Sequence, residues 1–413
     1  MAESLPPALQ AVSDPGKEDR AARGLPVVPA FDGYRAFAIM GILLWHVVVS
    51  SGLLHREGGS ALGQFFWGTG PQLVDILFVV SGFVVFLPTV ARGGEFGSVS
   101  GYAVRRGARL LPAYWVSLVV MLVLMASTAD TTMPGLGDLT SNFSGQQTWI
   151  NFFSSTTPIG FGPDIPIWTL TLEIGFYVVL PFIAASYYRH PIAGLLIALA
   201  ISVIWREAFS GADIVTWRSA LAQLPAWSFS FAACMSGACA YVKLRDRYDR
   251  ERLETLAIRV LLVAAPLFVL FAYLAGHKAV GAGPGDFPNL DARADNFIAT
   301  GYTASLALTM VALTLVPRRL QRPFADPVVR RLGDISYGVY LIQAPIMFFL
   351  LTRHTLATDG SFGAFASWLA VMLPIALVYG YLSARFVEQP IRRWARRFGR
   401  RAQAPPAEAP AGV

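Results

Sequence analysis

Apolar runs of 17 to 21 residues recur along this chain from residue 34 to residue 384, separated by polar connections. A helix needs roughly 20 residues, at about 1.5 Å each, to cross a hydrocarbon core about 30 Å thick. The pattern therefore predicts ten spans: 34–52, 72–90, 110–128, 168–188, 191–207, 224–242, 259–275, 297–316, 335–352 and 366–384. Each is long enough, or nearly so, to cross with some tilt. The architecture expected is all-α, a polytopic membrane helix bundle. Residues 1–30 are rich in Ala and Pro, mixed in charge and without an apolar core, so they read as a disordered tail and not a signal peptide. Residues 31–401 form the membrane-embedded domain, and 402–413 (AQAPPAEAPAGV) a second disordered tail.

Composition supports that picture and orients it. Of the 413 residues, 54% are hydrophobic and only 14% charged, where a soluble protein carries about a quarter charged. With the N-terminus inside, 27 of the 33 basic residues fall in cytoplasmic segments, and the long connection 129–167 has none. That asymmetry, with an even number of spans, places both termini in the cytoplasm, at the cell (cytoplasmic) membrane. The net charge of +7 is thus a topology signal and calls for no nucleic acid. Within the connections, QQTWINFF suits the membrane interface, KLRDRYDRERLE (243–254) reads as a charge-alternating solvated helix, and RFVEQPIRRWARRFGRR (385–401) as a basic stretch on lipid head groups. Cys234 and Cys239 fit neither a redox nor a zinc spacing, and no clustered His/Cys set occurs, so no metal is expected.

Against this apolar background a few groups stand out. FDGYRAFAIMGILLWHVVVSSG (31–52) holds Arg35 and His46 eleven residues apart. Eleven residues turn a helix by nearly three full turns, which puts both side chains on one face, about 16 Å apart along the axis. With Arg35 at the membrane surface, His46 lies near mid-membrane, where a titratable imidazole suits proton transfer. A structural role as a bond between helices is the alternative. Asp75, in PQLVDILFVVSGF, shares a face with Gly82 and so points into the bundle. Glu173, in WTLTLEIGFY, lies on a polar stripe with Thr169 and Tyr177. Both acids have a plain alternative as structural partners of buried cations. Arg105, Arg106 and Arg109 form a cationic helix face, readable as positive-inside anchoring or as a phosphate clamp. A cationic mouth with a histidine half a membrane deep suits coenzyme A, whose phosphates and thioester sit at opposite ends of a slender arm. The other four histidines fall in loops or at span edges.

The stretches FDGYRAFAIMGILLWH, VDILFVVSGF, RRGARLLPAYW, WTLTLEIGFYVVLPF, ISYGVYLIQAPI and VEQPIRR, in that order, resemble the acyltransferase 3 family of integral-membrane O-acyltransferases. The resemblance covers residues 31 to about 394. It implies transfer of an acyl group, often acetyl, from acyl-CoA to a hydroxyl of a carbohydrate, glycolipid, envelope polysaccharide or macrolide-like molecule. It maps the family's Arg-x10-His pair onto Arg35 and His46, the arginines of its RRxxR stretch onto Arg105, Arg106 and Arg109, and the acid of its Trp-x4-Glu stretch onto Glu173; Arg35 and that arginine face are expected to bind the donor's phosphates. Acyl-CoA is then a substrate, and no resident cofactor is expected. His46 is expected to act as base, held in its tautomer by Glu173, with Asp75 as a further catalytic candidate. Family members often carry a histidine where this chain has Gln343. Some relatives also carry an extracytoplasmic esterase-like domain, so direct acylation or handover to a separate partner is expected here. A proton-coupled transporter or flippase is the rival class, because intramembrane His, Asp and Glu also suit a relay.

Overall fold

The computed structural model describes Val28 and residues 30–57, 60–70, 73–128, 132–154, 167–212, 214–279 and 292–400. Apart from Val28 and Ala30, the expected tails 1–30 and 402–413 lie outside these residues. Among the described residues all regular structure is helical. Ten long helices carry the fold: α1 (Ala30–Ser50), α2 (Leu73–Ala91), α3 (Val99–Ala126), α4 (Ile167–Arg189), α5 (Pro191–Phe209), α6 (Leu224–Arg247), α7 (Arg250–Ala279), α8 (Ala292–Leu313), α9 (Pro327–Thr352) and α10 (Phe362–Leu382).

Nine helices among the described residues are long and apolar enough to cross a membrane. The expected span 224–242 is present as α6 but is not among those nine. Its 24 residues would reach about 36 Å, so length is not what it lacks. What lowers its apolarity is the serines Ser228, Ser230 and Ser236, the second buried and the other two partly so. The helix packs against α2, α5 and α8, so its environment is protein more than lipid. Small residues allow that close approach. A Cβ on Gly82 of α2 would stand 2.7 Å from the Phe231 carbonyl oxygen of α6. Both cysteines are unpaired and buried.

Two of the charged stretches differ from expectation. KLRDRYDRERLE is not one helix. Tyr248 turns extended at the end of α6, and Asp249 accepts a 2.9 Å bond from the Arg252 amide as α7 begins. A short acid at that position satisfies a helix N-terminus better than it continues the preceding helix. The stretch 385–401 is not simply laid on the surface either. α10 runs through a π-turn at Ser383–Glu388 into a short helix, Gln389–Ala395, with Glu388, Gln389 and Ala395 buried. QQTWINFF forms a short helix, Gln147–Ser154, exposing Trp149 and Phe153.

α1 sits at the centre, against α9, α2 and α10. Its start is clamped by backbone-to-backbone approach. A Cβ on Gly33 would stand 2.2 Å from the Phe324 carbonyl oxygen, and one on Gly333 of α9 would stand 2.2 Å from that of Asp32. This crossing fixes where Arg35 stands relative to α9.

Candidate functional site

At this crossing a cavity opens between five helices and the C-terminal turn. α1 contributes Arg35 and Ile39, one turn apart, and α2 contributes Phe78 and Ser81. α3 supplies Arg109; α4 supplies Thr169 and Glu173. α9 presents Asp334, Tyr337 and Tyr340, and the chain after the π-turn adds Glu388 and Arg392. Three arginines thus share one cavity with three acids.

Glu173 is held in place. Its Oε1 accepts from Ser81 Oγ at 3.0 Å and from the Tyr177 hydroxyl one turn along α4. Arg35 lies within electrostatic reach of Arg109, Asp32, Tyr177 and Glu173. The wall facing Glu173 is pinned by side-chain hydroxyls. Thr169 Oγ1 and Tyr340 OH are 2.7 Å apart, and Tyr337 donates to the Leu110 carbonyl at 3.0 Å. Glu388 accepts a 3.2 Å bond from Ser383 Oγ across the π-turn. Such turns recur at functional sites because they re-aim the residues that follow.

The expected cationic face divides. Arg109 lines the cavity, whereas Arg105 is exposed and is not among the lining residues. Arg106 stacks its guanidinium over the rings of Tyr102 and Tyr177, at 5.6 and 5.3 Å. Three positions on one helical stripe meet different neighbours because α3 is flanked by protein on only part of its circumference. The cation that completes the cavity is Arg392, from a stretch read as a head-group anchor. Its signal was available in VEQPIRR, where a Glu and a Pro interrupt what would otherwise be a uniformly basic surface helix.

His46 continues the stripe of Arg35 and Ile39 but does not line the cavity; it follows Ile39 by two turns, about 10 Å further along α1. It is buried, 9% exposed, with Nδ1 3.3 Å from Oε1 of the fully buried Gln343. That carbonyl oxygen accepts, so the bond requires the Nδ1–H tautomer and leaves the Nε2 lone pair available. Gln343 follows the cavity residue Tyr340 by three positions on α9, and Pro345 removes the amide that would bond the Leu341 carbonyl. The partner at His46 Nδ1 is therefore Gln343 and not Glu173, whose hydrogen bonds lie at the level of Arg35. Asp75 is not in the cavity. It is 3% exposed and accepts from Ser230 Oγ of α6 at 2.8 Å and Thr303 Oγ1 of α8 at 3.0 Å. It faces the same neighbour as Gly82, as the spacing predicted, but on the side of α2 turned from Arg35. Among the described residues no cluster of three or more metal-ligating side chains occurs.

Comparison with known proteins places this arrangement. The chain is 25% identical over 391 residues to the peptidoglycan O-acetyltransferase OatA of Listeria monocytogenes, a match covering 89% of this chain and 56% of that protein. A putative O-acetyltransferase of Staphylococcus aureus strain COL is 24% identical over 89% of this chain and 57% of its own length. Nodulation protein 10 of Rhizobium leguminosarum bv. viciae is 26% identical over 77% of this chain and 81% of its own. This chain thus spans little more than half the length of the first two. No solved structure matches. The family model Acyl_transf_3, described as an acyltransferase domain, matches residues 28–384, all of α1 through α10. With its helices, its cavity and its Arg35–His46 stripe inside that match, the chain belongs to the acyltransferase 3 family.

Proposed function

We propose that this acyltransferase is a multi-pass enzyme of the cytoplasmic membrane. It moves an acetyl or other short acyl group from acyl-CoA to a hydroxyl of a carbohydrate, glycolipid, envelope polysaccharide or macrolide-like molecule. The observation that carries the reading is the single stripe on α1 that sets Arg35 in a cavity with Arg109 and Arg392 and ends at a buried His46. Guanidinium groups match phosphate oxygens bidentately, so the cavity takes the nucleotide end of the donor. The pantetheine arm then runs along α1 past Ile39 toward His46, over about 16 Å. Glu173, fixed by Ser81 and Tyr177, keeps the cavity from being uniformly cationic and lies within electrostatic reach of Arg35.

In the chemical step His46 Nε2 takes the acceptor hydroxyl proton as that oxygen bonds the thioester carbonyl carbon. The tetrahedral adduct collapses with cleavage of the C–S bond, and the imidazolium returns the proton to sulfur, releasing CoA thiol. Gln343 keeps the imidazole in the tautomer that presents Nε2. A positioned general base contributes about 10²–10⁴-fold. His46→Ala should therefore lower transfer of label from radioactive acetyl-CoA by that factor, with the acetyl-CoA dissociation constant within twofold of the parent. Parental turnover in purified His46→Ala protein would remove the assignment. The transporter reading needs a proton relay through Asp75, and the hydroxyl partners of Asp75 on α6 and α8 set it apart from this stripe.

A further inference from the structure

We infer that the acceptor binds on the side of His46 away from Arg35, in a subsite of uncharged donors, and that the acceptor's reacting portion is itself uncharged and rich in hydroxyls. The inference rests on the acyltransferase reading above and adds to it the residues and the charge class. Four buried polar atoms at this end of α1 have no hydrogen-bond partner among the described residues: Gln343 Nε2, Trp45 Nε1, Ser50 Oγ and Thr69 Oγ1. Native structures satisfy nearly all such atoms, so several around one candidate base call for a ligand that completes them.

Their placement ties them to His46. Gln343 uses its carbonyl oxygen on His46 Nδ1 and is fully buried, which leaves its amide N–H groups to bond something else. The indole ring of Trp45 is 5.3 Å from the imidazole. Gly70 closes on that indole so tightly that a Cβ there would stand 2.2 Å from Nε1, and Thr69 directly precedes it. Ser50 follows His46 by one turn on the same face of α1.

The chemistry of the set defines its occupant. The indole and amide nitrogens can only donate, whereas the two hydroxyls donate or accept. A ligand that completes all four must offer several oxygen acceptors together with hydroxyl protons, one of which goes to His46 Nε2. None of the four carries a charge, and the cavity's arginines and acids begin at the level of Ile39 and Arg35, two or more turns away. A carboxylate, phosphate or ammonium beside the reacting hydroxyl would be desolvated without a countercharge, and that is the costly case. The chain thus separates a charged donor end from a neutral acceptor end.

The test uses the full chain in lipid nanodiscs with radioactive acetyl-CoA and three soluble probes: methyl β-glucopyranoside, glucuronate and glucosamine. The neutral glycoside should be labelled, and each charged analogue should be labelled at least about tenfold less efficiently. Trp45→Phe, which keeps an aromatic ring but removes the indole N–H with its five-membered ring, and Thr69→Val, which replaces the hydroxyl by a methyl of similar size, should each raise the half-saturating glycoside concentration at least about fivefold. The acetyl-CoA dissociation constant should stay within twofold of the parent, which also shows that the variants fold. Equal labelling of a charged analogue, an unlabelled neutral glycoside, or an unmoved half-saturating concentration in both variants would overturn the subsite. Failure of the parent protein to bind acetyl-CoA at all would instead remove the donor reading, and the subsite with it.

Discussion

Gly333→Ala tests whether the crossing of α1 and α9 sets the cavity. A Cβ at this position stands 2.2 Å from the Asp32 carbonyl oxygen and 2.8 Å from its carbon. Contact becomes ordinary only at 3.4 Å, so the 2.2 Å approach must open by about 1.2 Å, and the obstacle is backbone, not a side chain that can swing away. Overpacking of this kind costs about 1–3 kcal/mol. Alanine returns about 1 kcal/mol of helix propensity, which leaves a net loss of at most about 2 kcal/mol. The effect on function should be larger, because Gly333 lines the cavity and Asp32 precedes Arg35 by less than one turn. A misplacement of about 1 Å can cost on the order of 10²-fold in rate. The assay pairs thermal unfolding in detergent with acetyl-CoA binding and label transfer. A small drop in melting midpoint and a roughly 10- to 10²-fold drop in transfer are expected. Gly107→Ala is the control: its nearest neighbour is a Leu111 side-chain carbon at 3.8 Å, so it should be neutral or slightly stabilising. Parental binding and transfer in Gly333→Ala would refute the reasoning, since α9 could then move without altering the cavity.

The remaining predictions separate residues that the sequence grouped together. Arg109→Ala should weaken acetyl-CoA binding by about 10- to 10²-fold, the loss of a charge-assisted bond of about 1.5–3 kcal/mol, whereas Arg105→Ala should stay within twofold in an equilibrium-binding measurement. Asp75→Asn keeps one acceptor oxygen but turns an amide donor toward the hydroxyl of Ser230 or Thr303, and should cost about 1–3 kcal/mol of stability. Its transfer rate per folded molecule should remain within twofold, and a hundredfold loss would restore Asp75 as a proton carrier. Reporter fusions at the two termini should both report cytoplasm while one at Asn142 reports the opposite side; a periplasmic C-terminus would break the ten-span topology.

Much of this molecule could be read along the chain because membrane spans and helix faces depend on local spacing. The spans followed from runs of apolar residues, and the stripe of Arg35 and His46 followed from the helical repeat, which needs no knowledge of what packs against it. The burial of Asp75 toward the Gly82 face was legible for the same reason. What is local also misleads. Arg105, Arg106 and Arg109 share a helix face, yet only contact with α4, α9 and the chain after α10 decides that Arg109 faces the cavity, that Arg106 stacks on tyrosines and that Arg105 meets solvent. The low apolarity of α6 makes sense only with α2, α5 and α8 around it, because a helix sheathed by protein need not be oily. Gln343 reaches His46 across 297 residues, and Arg392 enters the cavity through a π-turn no periodicity announces. The sequence by itself determined which groups lie in the membrane and on which side of their own helices. Which of them meet was decided by the close crossing of backbones at Gly33 and Gly333, a property of pairs of helices and of no single one.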